Sequence, residues 1–120
     1  MDKLSTIQKR NNLNEIYRAG DSGPGGAYHD YHIISEGKTE HFHCLILFQK
    51  GPRSDYNSRH GVLDCDLLEI VRDRLRCFQN GDYATRENEM ALQHVEEALL
   101  WMNKRTEDRA ERQVLGTMEK

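Results

Sequence analysis

The sequence predicts an α+β protein in which a small N-terminal antiparallel sheet is packed on a C-terminal antiparallel hairpin of two helices. Three observations support this fold class. Residues 27–49 alternate between two faces and are rich in aromatic and β-branched side chains, which is typical of strands. Residues 66–102 repeat apolar positions with a period of 3.6 residues, which is typical of helices. A break at 79–82 divides this helical stretch, and so short a link joins antiparallel neighbours.

The length and polarity of the chain predict one domain that oligomerises. Its 120 residues fit a single domain, 1–120, with a β part at 1–60 and a helical hairpin and tail at 61–120. Only 37% of the residues are hydrophobic and 31% are charged, while a domain of this size buries a limited fraction of its surface. We therefore expect copies of the chain to complete one another's core.

Charge and composition argue against several function classes. A net charge of −3 disfavours binding to DNA or RNA polymers, which requires neutralising many phosphates, but it allows a small anionic ligand. The longest apolar run, 44–48, is too short to span a membrane, and residues 1–10 lack the apolar segment of a signal peptide. Three cysteines without metal-site spacing predict a reduced, intracellular protein.

The N-terminal half predicts a β-hairpin. Residues 1–22 are polar and form either a short edge strand or a mobile arm, and a Gly-rich breaker at 20–26 follows them. Strands are expected at 27–35 and 41–49, joined by a turn at 35–39. The second strand has an apolar face, expected to contact the helices, that consists of Phe42, Cys44, Ile46 and Phe48.

The helices have recognisable start and stop signals. After a polar loop at 50–60, the first helix is expected to begin near Asp64, which can cap it, with Asp66 in the first turn. Gly81 can adopt the left-handed conformation that ends a helix. The second helix is expected to continue into the tail until Gly116 stops it.

Two groups in the β part could carry chemistry. The segment "SGPGG", with Gly25 and Gly26, could bring backbone N–H groups close to a phosphate, although a tight turn before a strand explains it as well. His41 and His43 share one strand face, and a His-x-His pair can bind zinc, copper or iron. The histidines of the preceding strand fall on opposite faces, so ordinary surface histidines are the simpler interpretation.

Two more groups lie in the helical half. At the turn, Phe78 and Tyr83 could stack on a base, while Arg86 and Asn88 could bind a phosphate and an adenine edge, or all four could simply close the hairpin. In the tail the cations are Arg105 and Arg109, on one helical face, and the acids that could neutralise them are Asp108 and Glu111. If several tails converged on an axis, these cations would form a ring suited to a cyclic oligonucleotide.

Together these residues resemble a known family. The chain resembles the phage-encoded anti-Thoeris sponge family of the first type, and its C-terminal half is similar to the helical hairpin that this family shares with the phage anti-CBASS nucleotide sponge. The matching segments are "SGPGGAYHDYHI" at 22–33, "LILFQKGP" at 45–52, "DLLEIVRDRLRCFQNGDYATREN" at 66–88 and "ALQHVEEALLWMNKRTEDRAERQVLGT" at 91–117. The stretch from "TREN" to "ERQVLGT" is the most specific part.

The resemblance implies a sponge and not an enzyme. Members of the family bind the cyclic ADP-ribose isomers of bacterial Thoeris defence (1''–2' and 1''–3' glycocyclic ADP-ribose) and hold them intact, so that the effector is never activated. Some members also bind cyclic oligonucleotides of the CBASS pathway at separate sites, which makes cyclic dinucleotides and trinucleotides candidate partners. The family assembles as a homo-hexamer. No cofactor, DNA, RNA or membrane partner is implied, and the expected location is the cytoplasm of the infected host.

The resemblance also implies ligand contacts at two sites. The candidate contacts to cyclic ADP-ribose are Phe78, Asn88, Arg53, Gly25 and Gly26. Phe78 and Asn88 match the family's base-contacting aromatic ring and amide, and Arg53 is a candidate phosphate contact. The candidate contacts to a cyclic trinucleotide are Arg105, Arg109 and Thr117. Two other functions stay open: a cyclic-nucleotide hydrolase or phosphodiesterase that uses the histidines, and an adaptor that binds a host protein through the hairpin.

Overall fold

The computed structural model describes residues 1–10, 13–35 and 41–113. The chain divides into two compact units, Met1–Val62 and Leu63–Lys120. The first unit contains the strands and the second contains the helices. In the described part of the chain, neither helix is long and apolar enough to cross a membrane.

Four strands form one antiparallel sheet in the first unit. In chain order, which is also their order in the sheet, they are β1 (Asp2–Lys3), β2 (Asn14–Ala19), β3 (Asp30–Ser35) and β4 (His43–Leu47). The predicted hairpin of β3 and β4 is confirmed, with Ile33 opposite Cys44. Both strands of this hairpin are shorter than the expected ranges of 27–35 and 41–49. β4 ends at Leu47 because Phe48 forms a bridge with Val62.

The largest difference from the sequence prediction is β2. The short edge strand expected within residues 1–22 is β1, but a second strand, β2, lies inside the sheet between β1 and β3, with Ile16 opposite Ile33. The two-residue β1 forms one edge of the sheet, and β4 forms the opposite edge. An ion pair between Lys3 and Glu15, 3.1 Å apart, supports the β1 edge. The mixed, polar composition of "NEIYRA" gives no clear strand pattern, and the segment becomes a strand by pairing with residues elsewhere in the chain.

Both faces of the sheet combine apolar and polar residues. One face carries mostly apolar or aromatic residues, namely Ile16, Tyr31, Ile33, Cys44 and Ile46. Tyr31 also contacts Phe48 edge to face, with ring centroids 5.6 Å apart. The other face carries Tyr17, His32, Ile34, His43, Leu45 and Leu47. The predicted contact of the apolar face with the helices stays a prediction.

Helices α1 (Asp64–Gln79) and α2 (Arg86–Glu111) form the hairpin of the second unit. α1 begins where predicted, but Leu63 and not Asp64 occupies the N-cap position. Asp66 accepts a hydrogen bond from the Leu63 N–H at 2.8 Å. Across the hairpin, Arg72 Nε donates to Glu96 at 2.8 Å, and this hydrogen bond raises the pKa of Arg72 above its ordinary value.

Two further details of the helices differ from expectation. Gly81 is not left-handed; α1 ends instead with the Asn80 N–H bonded to the carbonyls of Arg76 and Cys77. α2 ends at Glu111, and the expected stop at Gly116 lies outside the described residues.

The burial of apolar side chains is low throughout the described residues. No apolar side chain among them is buried. Several stay largely exposed on the helices, including Ile70 (59%), Leu100 (70%) and Trp101 (63%). Apolar burial must offset the conformational entropy lost on folding, and these exposed side chains contribute little to that burial.

Candidate functional site

The turn between the helices is closed by the side chain of Gln79, the last residue of α1. Its Nε2 donates to the Thr85 carbonyl at 3.1 Å, and its Oε1 accepts from the Thr85 N–H at 3.0 Å. Thr85 is in turn the N-cap of α2, and its Oγ1 accepts from the Asn88 N–H at 3.0 Å. These three bonds connect the end of α1 to the first turn of α2. Gln79 was not predicted from the sequence.

Phe78, Tyr83 and Asn88 lie together at this turn. The rings of Phe78 and Tyr83 meet edge to face, with centroids 6.4 Å apart and planes at 83°. Asn88 Nδ2 donates to the Tyr83 carbonyl at 3.4 Å. Phe78 is 36% exposed and Tyr83 75% exposed. The structure therefore brings the predicted aromatic ring and the predicted amide to one place.

This arrangement presents a ring and an amide to a ligand. One N–H of the Asn88 amide is directed at the Tyr83 carbonyl in a long hydrogen bond of 3.4 Å. The amide still has its carbonyl oxygen and a second N–H, a pair that matches the donor and acceptor on an adenine edge. Stacking on an aromatic ring adds about 1–3 kcal/mol per base.

Two arginines flank the turn. The guanidinium carbon of Arg74 lies 5.5 Å from the centroid of the Phe78 ring, one helical turn away. This is a cation–π distance. Arg86 is the first residue of α2 and is exposed. Arg74 is thus a second residue, with Gln79, that sequence reasoning did not select.

The Gly-rich loop forms a tight 3₁₀ turn in which Gly25 (φ 74°) and Gly26 (φ 81°) are left-handed. Only glycine adopts this conformation without strain. The Gly26 N–H donates to the Gly23 carbonyl at 2.9 Å, so the loop itself uses this donor. The ring of His29 and the Lys50 side chain lie against Gly23. A cation therefore stands beside the loop.

Arg53 belongs to the loop between β4 and α1, and Gln49 holds it. Gln49 Oε1 accepts from Arg53 Nε at 3.2 Å and from the Gly61 N–H at 3.3 Å, while Gln49 Nε2 donates to the Gly51 carbonyl at 3.1 Å. The Arg53 side chain is exposed. An arginine held through Nε keeps two terminal amino groups that can bind a phosphate.

Arg59 fastens this loop to the sheet. Its Nη2 lies 2.7 Å from Asp30 Oδ1 and donates to the carbonyls of His29 at 3.1 Å and Phe48 at 2.9 Å. The backbones of Lys50 and Arg59 also exchange hydrogen bonds of 2.9 and 2.8 Å. No sequence signal identifies this role, because the partners of Arg59 lie far away along the chain.

The two arginines of the second candidate site differ in environment. Arg105 is exposed and has no acidic partner within the described ranges, whereas Arg109 is 7% exposed. Asp108, one of the acids expected to neutralise them, instead pairs with Arg112 Nε at 3.1 Å. Thr117 lies outside the described residues.

The histidine contact joins two strands. His32 Nδ1 lies 2.6 Å from His43 Nε2, and the rings stack with centroids 4.9 Å apart. This pair differs from the His-x-His spacing that the sequence suggested. No group of three or more His, Cys, Asp or Glu side chains that could hold a metal ion exists in residues 1–10, 13–35 and 41–113. The three cysteines are free thiols.

Comparison with known proteins places the chain in a family. The family model described as "Acb2/Tad1, hairpin domain" matches residues 43–107, more than half of the chain. The chain belongs to the Acb2/Tad1 hairpin family. It is also 48% identical over 77 residues to a protein of Bacillus phage SBSphiJ7 named Thoeris anti-defense 1. That match covers 64% of this chain and 54% of the relative, so the chain spans about half the length of the curated relative.

The Acb2/Tad1 hairpin match includes some of the candidate ligand contacts and not others. Arg53, Phe78, Asn88 and Arg105 lie inside the matched residues 43–107. Those outside are Gly25, Gly26, Arg109 and Thr117. The turn that holds Phe78 and Asn88 is therefore part of the segment that defines the family.

Proposed function

We propose that this protein is a phage anti-defence sponge for cyclic ADP-ribose immune signals. It binds 1''–2' or 1''–3' glycocyclic ADP-ribose without degrading it, and thereby prevents activation of the Thoeris effector in the cytoplasm of the infected host. The observation that carries the proposal is the turn with Phe78 and Asn88, in a chain of the Acb2/Tad1 hairpin family. The name of the phage relative, Thoeris anti-defense 1, supports the same target system.

The adenine and the phosphates of the signal each have a proposed contact. The adenine stacks on Phe78, and Asn88 recognises its edge. Arg53 is the proposed phosphate contact, because its Nε is held by Gln49 and its side chain is exposed. Gly25 and Gly26 allow the backbone to approach the ligand closely, since neither carries a side chain.

The proposed contacts are strong enough for a sponge. Stacking contributes about 1–3 kcal/mol per base, and a hydrogen bond to a charged group about 1.5–3 kcal/mol. Several such contacts, less the cost of losing ligand freedom, can approach the −12 kcal/mol or so of a nanomolar complex. A sponge needs this affinity because it must outcompete the effector for a dilute signal.

The fate of the bound signal distinguishes a sponge from the alternatives. The protein is incubated with 1''–2' or 1''–3' glycocyclic ADP-ribose, separated from free ligand and heat-denatured, and the released nucleotide is analysed by mass spectrometry. Recovery of the intact cyclic molecule supports the sponge. A linear product would contradict it and favour a hydrolase or phosphodiesterase. Absence of any bound nucleotide would favour the adaptor that binds a host protein through the hairpin.

We further propose a second site for CBASS cyclic oligonucleotides and assembly into a homo-hexamer. Arg105 supports the site, since it is an exposed cation near the end of α2. Arg109 and Thr117 complete the proposed contacts. The low apolar burial among the described residues supports assembly. Native mass spectrometry with and without cyclic dinucleotides and trinucleotides tests both, because it reports the number of subunits and of bound ligands.

A further inference from the structure

Arg74 differs from its neighbour Arg72 in what it contacts. Arg72 pairs with Glu96 at 2.8 Å and with Glu69 at 3.5 Å. Arg74 pairs with no acidic side chain in the described part of the chain, and its contact is the ring of Phe78, 5.5 Å from guanidinium carbon to centroid. It is a cation that lies beside an aromatic ring without a counter-ion.

The sequence around Arg74 explains this arrangement. On a helix, side chains three and four residues apart are neighbours. At those distances from Arg74 stand Ile70, Val71, Cys77 and Phe78. None of these is acidic, and Ile70 and Val71 are 59% and 42% exposed. The guanidinium therefore lies on an exposed, largely apolar helix surface, and no acidic side chain lies one helical turn away from it on α1.

We propose that Arg74 binds a phosphate group of the nucleotide whose base stacks on Phe78. This inference rests on the proposed function and adds a residue that recognises the phosphate of the signal. A guanidinium can stay stacked on a ring while its N–H groups donate to phosphate oxygens. Phe78 and Asn88 then select an adenine, and Arg74 selects the form of adenine that carries phosphate. The ligand class is an adenine nucleotide with a pyrophosphate, as opposed to an uncharged nucleoside.

The test compares Arg74→Gln with a matched control at Arg76 in the full chain, and a third variant, Arg74→Lys, tests the planar fork. In Arg74→Gln, the affinity for 1''–2' glycocyclic ADP-ribose, measured by calorimetry, is expected to fall about 10-fold to 100-fold, as for the loss of one charge-assisted hydrogen bond. In the matched control Arg76→Gln, which removes the same charge from an exposed position of the same helix, affinity changes by less than about threefold. Arg74→Lys retains the charge without the planar fork and recovers part of the loss.

A second readout separates phosphate binding from a structural role. If Arg74 neutralises a phosphate, the decrease in affinity with rising salt concentration is shallower in Arg74→Gln than in the wild type, and unchanged in Arg76→Gln. Equal salt dependence in all three proteins, or equal losses of affinity in both variants, would overturn the assignment of Arg74. Failure of the wild-type protein to bind the signal would instead overturn the proposed function itself. Thermal melting confirms that both variants remain folded.

Discussion

Replacing Gln79 with alanine removes the side chain that closes the turn between α1 and α2. The two bonds lost are those to the backbone of Thr85, at 3.0 and 3.1 Å. Each such bond contributes about 0.5–1.5 kcal/mol, and because the groups are solvent-accessible, we expect a combined loss of about 1–2 kcal/mol in the free energy of unfolding. Alanine has a slightly better helix propensity, which offsets a few tenths of this value. The expected decrease in Tm is roughly 4–10 °C.

The assay is thermal and urea unfolding at one fixed protein concentration, because assembly makes stability depend on concentration. Gln93→Ala is the matched control, since Gln93 is an exposed glutamine of α2. Gln79→Ala should also weaken binding of the cyclic ADP-ribose signal, because Thr85 and Asn88 lose a fixed position relative to Phe78. Equal Tm values for the two variants would refute the reasoning that Gln79 fastens the turn.

Three other predictions follow from the sites. The double variant Phe78→Ala with Asn88→Ala should lose binding of the cyclic ADP-ribose signal, by at least about 100-fold in calorimetry, because both base contacts are gone. Arg105→Ala should lose binding of a cyclic trinucleotide and retain the cyclic ADP-ribose signal, since the proposed sites are separate. Arg59→Met should lower the free energy of unfolding by about 1–3 kcal/mol in urea titrations, because it removes an ion pair and two hydrogen bonds from a part-buried guanidinium.

Each of these predictions has a result that contradicts it. If the Phe78 and Asn88 double variant depletes the signal normally and its oligomer is intact in native mass spectrometry, the ligand does not bind at this turn. An equal loss of both ligands in Arg105→Ala would argue against two sites. Arg10→Met, which changes an exposed arginine of the same unit, is the control for Arg59→Met, and equal unfolding midpoints would show that Arg59 does not fasten the loop.

The elements that were predicted well are those with a local signal. α1 and α2 were recognised because apolar residues recur with the helical period, and β3 with β4 because alternating residues flank a turn. β2 was missed because its residues are mixed in polarity and its identity as a strand comes from pairing with β1 and β3. The cap of α1 was placed one residue late because Asp66 acts from the first turn, through the Leu63 N–H.

In the candidate site, too, the sequence predicts the residues that have a local signal and misses those whose role depends on tertiary contacts. Phe78 and Asn88 were selected by residue type, position and resemblance, and the structure places both beside Tyr83. Gln79 and Arg74 were not selected, since a glutamine or an arginine on a helix usually faces solvent. Their importance comes from contacts that residue type does not reveal: a bridge across a turn and a cation over a ring.

The sequence by itself determined the fold class, the two helices, the hairpin of β3 and β4 and the residue types at the turn. These depend on periodicity and on short-range chemistry, which neighbouring residues carry. Only the tertiary structure decided that β2 lies inside the sheet, that Arg59 joins the loop to β3 and β4, and that Gln79 closes the helix turn. The physical reason is that hydrogen bonds and ion pairs between distant residues depend on where the chain brings them, and many polar residues could have made them.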